Sequence, residues 1–320
     1  MQITRRQVLS TGAALGAATF SGSAIAELLR SRGLKMRIGA TDWNLHKEGK
    51  LEAIPLGMKI GFDGVQVSLG VSDPTLPLAD KALQKQYVAL AKENKIAISG
   101  TCLNILHRNY LKNDKLGHKW VADSIPITKA LGTKVILLPF FGRGALKTHE
   151  EMDYVADFLK EIGPEAEKAG ITLGLEDTIS AEDNVRIMER SQSPAVKTYY
   201  DVGNSTNDGF DILKEIRWLG KDRICEFHLK DNPHYMGEGT INFPAVIDAI
   251  AEIGFKGWAQ LETDSPSKNV EADMGRNLGY VRGLVGRAGR TALTAAWMDT
   301  TTCTAILAAE SSGRLANGNE

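Results

Sequence analysis

Lys59-Ile60-Gly61-Phe62-Asp63-Gly64-Val65 has a near-copy in Glu252-Ile253-Gly254-Phe255-Lys256-Gly257-Trp258. Looser versions are Ala130-Leu131-Gly132-Thr133-Lys134-Val135 and Lys168-Ala169-Gly170-Ile171-Thr172-Leu173. Each reads as the end of an amphipathic helix, a glycine, then a short apolar strand. Glycine just past a helix end supplies the left-handed cap that other residues resist. Working outward from these junctions gives eight strand candidates: Met36–Thr41, Gly64–Ser68, Ile96–Thr101, Lys134–Leu138, Ile171–Leu175, Val196–Tyr200, Ile224–Leu229 and Gly257–Leu261. Helical patterns fill most of the gaps, clearest at Leu83–Glu93, Tyr154–Ala169, Ile212–Leu219 and Ala245–Ile253. Short apolar strands alternating with helices predict a parallel sheet with helices outside. Eight such units over about 250 residues predict an α/β fold of one domain, a (β/α)8 TIM barrel over 34–285. A doubly wound nucleotide-binding sheet would want a glycine-rich turn after its first strand, and Asp42-Trp43-Asn44-Leu45-His46 has none.

In such a barrel the chemistry sits where strands end and loops begin. The last four strand candidates run into Leu175-Glu176, Tyr200-Asp201, Phe227-His228 and Leu261-Glu262. Any one of these charged residues alone reads as a helix cap, a solvated loop residue or a hydrogen-bonded core histidine. Four on consecutive strands at one depth read as a metal site. Unpaired carboxylates at the rim of a dry barrel are costly, and a cation relieves that cost. Three carboxylates and one imidazole make a mostly hard donor set. That set points to one divalent ion, Mn2+ first with Mg2+ or Co2+ beside it, in octahedral geometry with positions left for substrate. Zn2+ more usually takes a His- or Cys-rich tetrahedral set and ranks behind.

From Met36 to Gly283 the chain resembles the xylose isomerase-like barrel superfamily, in particular its sugar phosphate isomerase/epimerase branch. The residues that carry the likeness are Leu173-Gly174-Leu175-Glu176, Tyr200-Asp201-Val202-Gly203-Asn204, His228-Leu229-Lys230-Asp231, Gly237-Glu238-Gly239 and Gln260-Leu261-Glu262. The resemblance implies that Glu176, Asp201, His228 and Glu262 bind one divalent ion. It also implies that Glu176 and Glu262 flank the substrate as paired acid/base groups. Glu182 matches a family position that hydrogen-bonds substrate. Asn204 falls where ketose 3-epimerases carry a histidine, and His234 where they carry an arginine. Endonuclease members hold three metals with many histidines; six histidines in all, with Asn204 at one expected ligand position, argue against that activity.

The reaction expected is proton abstraction next to a carbonyl through a metal-stabilised enediolate, with isomerisation or epimerisation of a sugar or keto-sugar. The alternative starts the same way but expels a β-substituent, as a lyase on a 3-keto-glycoside or a dehydratase on an inosose. A sugar-binding barrel without turnover is a third reading, disfavoured by the complete ligand set. Lys230 reads either as a holder of developing negative oxygen or as a solvated loop lysine. His107 reads as a substrate contact or a surface histidine. Trp43 and Phe141 could wall a sugar ring or simply belong to the core. Gly237-Glu238-Gly239 reads as a loop former over the site rather than a phosphate cradle.

A formal net charge of -1 gives no basic field for phosphate backbones, which excludes nucleic acid as a partner on composition. Thr4-Arg5-Arg6-Gln7-Val8-Leu9, a short Ala/Gly-rich apolar run and Ala24-Ile25-Ala26 predict a twin-arginine signal peptide over 1–26, cleaved after Ala26. The run is too short for a membrane span of roughly 20 residues. The expected partners are therefore a small carbohydrate and the twin-arginine export machinery, with a periplasmic or secreted location; a homo-oligomer is left open. Export favours free sugars or glycosides over phosphorylated intermediates. Cys102, Cys225 and Cys303 form no C-x-x-C pair and suggest no disulfide framework. From Gly286 the chain turns Gly/Ala/Ser/Thr-rich, and 286–320 is expected to be a disordered tail, with a short helix around Ala305–Ala309.

Overall fold

A computed structural model of the chain describes residues 34–288. Eight strands, β1 (Arg37–Thr41), β2 (Gly64–Ser68), β3 (Ala97–Cys102), β4 (Val135–Pro139), β5 (Thr172–Glu176), β6 (Val196–Asp201), β7 (Ile224–Leu229) and β8 (Trp258–Leu261), close into one barrel in chain order. All neighbours are parallel, and β1 closes onto β8 through Arg37–Ala40 against Trp258–Leu261. Every strand expected from the sequence is present, shifted by no more than one residue at either end.

The helices are α1 (Ala53–Ile60), α2 (Lys81–Glu93), α3 (Lys115–Ala130), α4 (His149–Ala169), α5 (Ala181–Ser191), α6 (Val202–Asn207), α7 (Ile212–Arg223) and α8 (Phe243–Glu252), followed by a helix over 270–288. The four helix–glycine–strand junctions behave as their spacing predicts. Gly61, Gly132, Gly170 and Gly254 have φ of 105°, 76°, 72° and 68°, the left-handed region that glycine enters without steric cost. Gly170 closes α4 by donating its N–H to Ala166 O and Glu167 O. The last helix runs through Gly286, where the sequence reading placed the start of the tail.

The strand faces turned toward the helices build the main core, with Ile38, Val65, Leu138, Leu173 and Phe227 packed among helix residues such as Ile54, Leu159, Ile216 and Ile250. A second cluster, Cys102, Leu137 and Tyr199, forms on the other strand face, with Trp43, Val135 and Cys225 against it. Because strand side chains alternate, this face of β5–β8 carries the pairs Gly174/Glu176, Tyr199/Asp201, Glu226/His228 and Gln260/Glu262. Three of the lower members are tied to one another beneath the upper ones. Tyr199 Oη and Gln260 Nε2 both donate to Glu226 Oε2 at 3.0 Å, and Ser99 Oγ donates to Gln260 Oε1 at 3.0 Å. Gly174 leaves room for this layer, since a Cβ there would stand 2.8 Å from Cys225 Sγ and 3.1 Å from Tyr199 Cδ2.

Among the described residues no helix is long and apolar enough to cross a membrane. Cys102 and Cys225 are free thiols. The expected signal peptide over 1–26, Cys303 and the helix expected around Ala305–Ala309 lie outside the described residues.

Candidate metal centre

The C-terminal ends of β5, β6 and β7 and the residue after β8 bring Glu176, Asp201, His228 and Glu262 together, each offering a ligand atom within 4.8 Å of the others. Three are buried; Glu262 is partly open. His228 Nδ1 faces all three carboxylates, at 2.6 Å from Glu176 Oε1, 3.4 Å from Glu262 Oε2 and 3.7 Å from Asp201 Oδ2. Its other nitrogen, Nε2, lies 3.0 Å from Gln66 Oε1. An amide oxygen can only accept, so Nε2 carries the proton and Nδ1 is the nitrogen free to bind an ion.

Lys230, one residue past β7, reaches into the same cluster. Its Nζ lies 2.6 Å from both Asp201 Oδ2 and Glu262 Oε2. Asp201 Oδ1 is occupied by the backbone N–H groups of Gly203 (2.7 Å) and Asn204 (2.9 Å) at the start of α6. Asp201 Oδ2 makes the ion pair with Lys230 but no well-aligned hydrogen bond. Glu262 Oε1 accepts from Trp43 Nε1 at 2.9 Å.

Burial sets the charges. It pushes the Glu176 carboxyl up to about 8, against His228, with Glu262 and Asp201 adding to the rise. For Asp201 burial acts in the same direction but the Lys230 ammonium and His228 outweigh it, and the carboxyl is held well below its usual range. Burial disfavours charge on His228, yet Glu176 and Glu262 overcome this and hold the ring up at about 10. Lys230 is held well above the usual lysine range by Asp201, Glu262 and Glu176 despite its burial. Three carboxylates thus converge on one ring nitrogen and one ammonium. This donor set fits a divalent cation, which would take over the imidazole proton's role among the carboxylates.

A cavity of about 330 Å³ opens above the cluster. Glu176, Glu262, Lys230, Asn204, His107, Trp43 and Phe141 line it, whereas Asp201 and His228 do not. His107 stacks on Phe141, with ring centroids 6.3 Å apart. Two further candidates stand elsewhere. Glu182 is the second residue of α5 and faces shallow clefts beside Trp218, away from this cavity. The cause is local: Ser180 caps α5 through the Asp183 N–H, so six residues past Glu176 the chain has already turned into a helix. His234 is exposed in the loop after β7 and does not line the cavity either. The Gly237–Gly239 turn is a loop former as expected, its amides donating to Asp231 Oδ2 at 3.0 and 2.9 Å.

The sequence reading passed over Gln66, which orients His228, and over Glu48 and Asn104, which line the cavity from the loops after β1 and β3. Gln66 had a signal in principle, because alternation along Gly64–Ser68 puts it on the same strand face as Ser68. Glu48 had none.

A model of the Xylose isomerase-like TIM barrel family matches residues 56–284. An L-ribulose-5-phosphate 3-epimerase of Escherichia coli is 24% identical over 263 residues, covering 75% of this chain and 91% of that protein. An inosose dehydratase of Geobacillus thermodenitrificans is 26% identical over 157 residues, 39% of this chain and 51% of that one. Among solved structures, an L-ribulose 3-epimerase superposes with a TM-score of 0.67 at 17% identity, covering 81% of this chain and 98% of the other.

Proposed function

The chain belongs to the xylose isomerase-like TIM barrel family, and on that footing we propose that it is a divalent-metal-dependent isomerase or epimerase of a sugar or keto-sugar. The observation that carries the proposal is the division among the four candidate ligands: Glu176 and Glu262 line the cavity, while Asp201 and His228 sit behind them. A divalent cation held by the four would supply the positive charge that makes a hydrogen beside a carbonyl acidic. Asp201 and His228 anchor from within the barrel wall. Glu176 and Glu262 reach both the ion's position and the substrate, so one removes a proton and the other returns one. Trp43 fixes Glu262 through its indole N–H, and Lys230 gives a further positive charge at the cavity wall, where negative oxygen develops. Asn204 and His107, also on the lining, act as substrate contacts.

A second reading is elimination of a β-substituent after the same first step; similarity to an inosose dehydratase favours it. Incubation of the metal-reconstituted chain with ketoses and keto-glycosides in deuterated water separates the two. Exchange at carbon without loss of substrate supports epimerisation, and an enone or released aglycone supports elimination. Absence of both outcomes, with metal bound, would sink proton transfer altogether. Mn2+ is the proposed ion, to be checked by metal analysis of the purified protein. Export through the twin-arginine route stays part of the proposal, checked by fractionating cells that carry Arg5→Lys/Arg6→Lys. Retention of that variant inside the cell, against export of the parent, is the expected result.

A further inference from the structure

The part of the cavity lining that proton transfer leaves unused is polar and braced from behind. Glu48 stands on the loop after β1, and Asn104 opens the turn after β3. Asn104 Nδ2 donates to Glu48 Oε1 at 2.7 Å and to Ser68 Oγ at 3.1 Å. Ser68 Oγ donates in turn to Asp42 Oδ1 at 2.6 Å. Asp42 Oδ2 accepts from the backbone N–H of Ser68 and of Gly49, the residue after Glu48, both at 2.9 Å. Asp42 is wholly buried and Asn104 is 8% exposed. A relay of four side chains, Asp42, Ser68, Asn104 and Glu48, thus runs from the C-terminal end of β1 to the cavity and fixes both the Glu48 carboxylate and the loop that carries it. Asn104 Oδ1 is left buried with no hydrogen-bond partner. A buried amide oxygen without a donor is a costly arrangement unless something supplies an O–H or N–H. His107, at the end of the same turn, adds one donor and one acceptor at the rim.

We propose that Glu48, Asn104 and His107 form a hydroxyl-reading subsite that selects an uncharged polyhydroxylated sugar or glycoside and rejects its phosphate ester. The proposal rests on the reading of this cavity as a sugar-transforming site. Charge decides the ester's fate. Glu48, Glu176 and Glu262 are carboxylates on the lining, and Lys230, its lysine, is paired with Asp201 and Glu262. Among the described residues no arginine lines the cavity. The glycine turn after β7, whose amides could have cradled phosphate, gives those amides to Asp231 instead. A neutral hydroxyl meets the opposite reception: it donates to Asn104 Oδ1 and to the Glu48 carboxylate, the second being a charge-assisted bond.

Calorimetric titration of the metal-loaded full chain tests this, with D-fructose, D-allulose and a methyl 3-keto-glucoside as probes beside the 6-phosphate of each. At least one neutral probe should bind, and its 6-phosphate at least about tenfold more weakly. Glu48→Ala, at the exposed mouth, should weaken the neutral probe about tenfold while strengthening the phosphate ester, at unchanged metal content. A purely structural role for Glu48 would move both ligands together. Tighter or equal binding of the ester, parallel shifts in Glu48→Ala, or no binding of any neutral probe overturns the subsite. Deuterium exchange on the same samples reports separately: binding without exchange defeats proton transfer and leaves the subsite standing.

Discussion

Glu176 and His228 share a contact of 2.6 Å, yet removing either side chain should have different consequences. Glu176→Gln and Glu262→Gln keep an oxygen for the ion but lose the basic one, so each should retain metal and lose at least about a thousandfold in rate. His228→Ala or Asp201→Asn should lose metal first, with activity partly restored by excess Mn2+. Metal analysis beside steady-state kinetics separates the two classes, and glutamine variants that turn over near the parent rate would refute the assignment. Gln66 belongs with the anchors. Gln66→Leu leaves the His228 Nε2–H without its acceptor and should weaken metal binding about ten- to a hundredfold, measured by competition with a chelator. The residues legible in the sequence were those at strand ends, where apolar runs stop abruptly at a charge. Gln66, Glu48 and Asn104 were not, because their roles come from strands and loops far apart in the chain: 162 residues separate Gln66 from His228. Glu182 and His234 stand outside the cavity for the opposite reason, their spacing being measured along a chain that has already turned into α5 in one case and into an exposed loop in the other.

At the scale of elements, the helix–glycine–strand junction is the part of the fold that local chemistry specifies. Gly170 has φ of 72° and open space around the position of a Cβ, so Gly170→Ala isolates the backbone cost. That variant should lose about 1 kcal/mol, a fall of roughly 2–4 °C in thermal midpoint, with rate constants unchanged because the junction precedes β5 and the ligands follow it. A larger loss, or a loss of activity, would mean that the junction does more than cap α4. The helices read most clearly were those with regular apolar spacing. α5 was less plain because its pattern begins only at a side-chain cap, Ser180. The strands were legible to within a residue because parallel barrel strands are buried on both faces and read as apolar runs.

For the whole molecule, the buried charges couple folding, protons and metal. A histidine held up at about 10 adds stability that is full below its ordinary value near 6.5 and is lost as pH rises through 10. Carboxyls raised by burial, Glu176 and Glu226 to about 8 and Asp42 to about 7, likewise favour the fold at lower pH and lose that contribution as pH climbs. The metal-free chain should therefore melt at progressively lower temperature from pH 6.5 to 10. Metal binding requires a neutral imidazole, so it releases protons, and its affinity should rise with pH by up to about tenfold per unit for each proton released. Scanning calorimetry with and without Mn2+ across that range checks both trends; a midpoint that rises with pH in the metal-free chain would contradict them. The barrel also separates its tasks along the gene. All four proposed ligands hang from β5–β8, while Glu48, Asn104 and His107 belong to the loops after β1 and β3. Appetite and metal ligands are thus inherited on different stretches, with the long helix α4 between them, although the braces of two ligands, Gln66 behind His228 and Trp43 against Glu262, travel with the first stretch. A recombination inside α4 could hand one ancestor's diet to another's reaction, provided that the β4–β5 and β8–β1 seams still zip together.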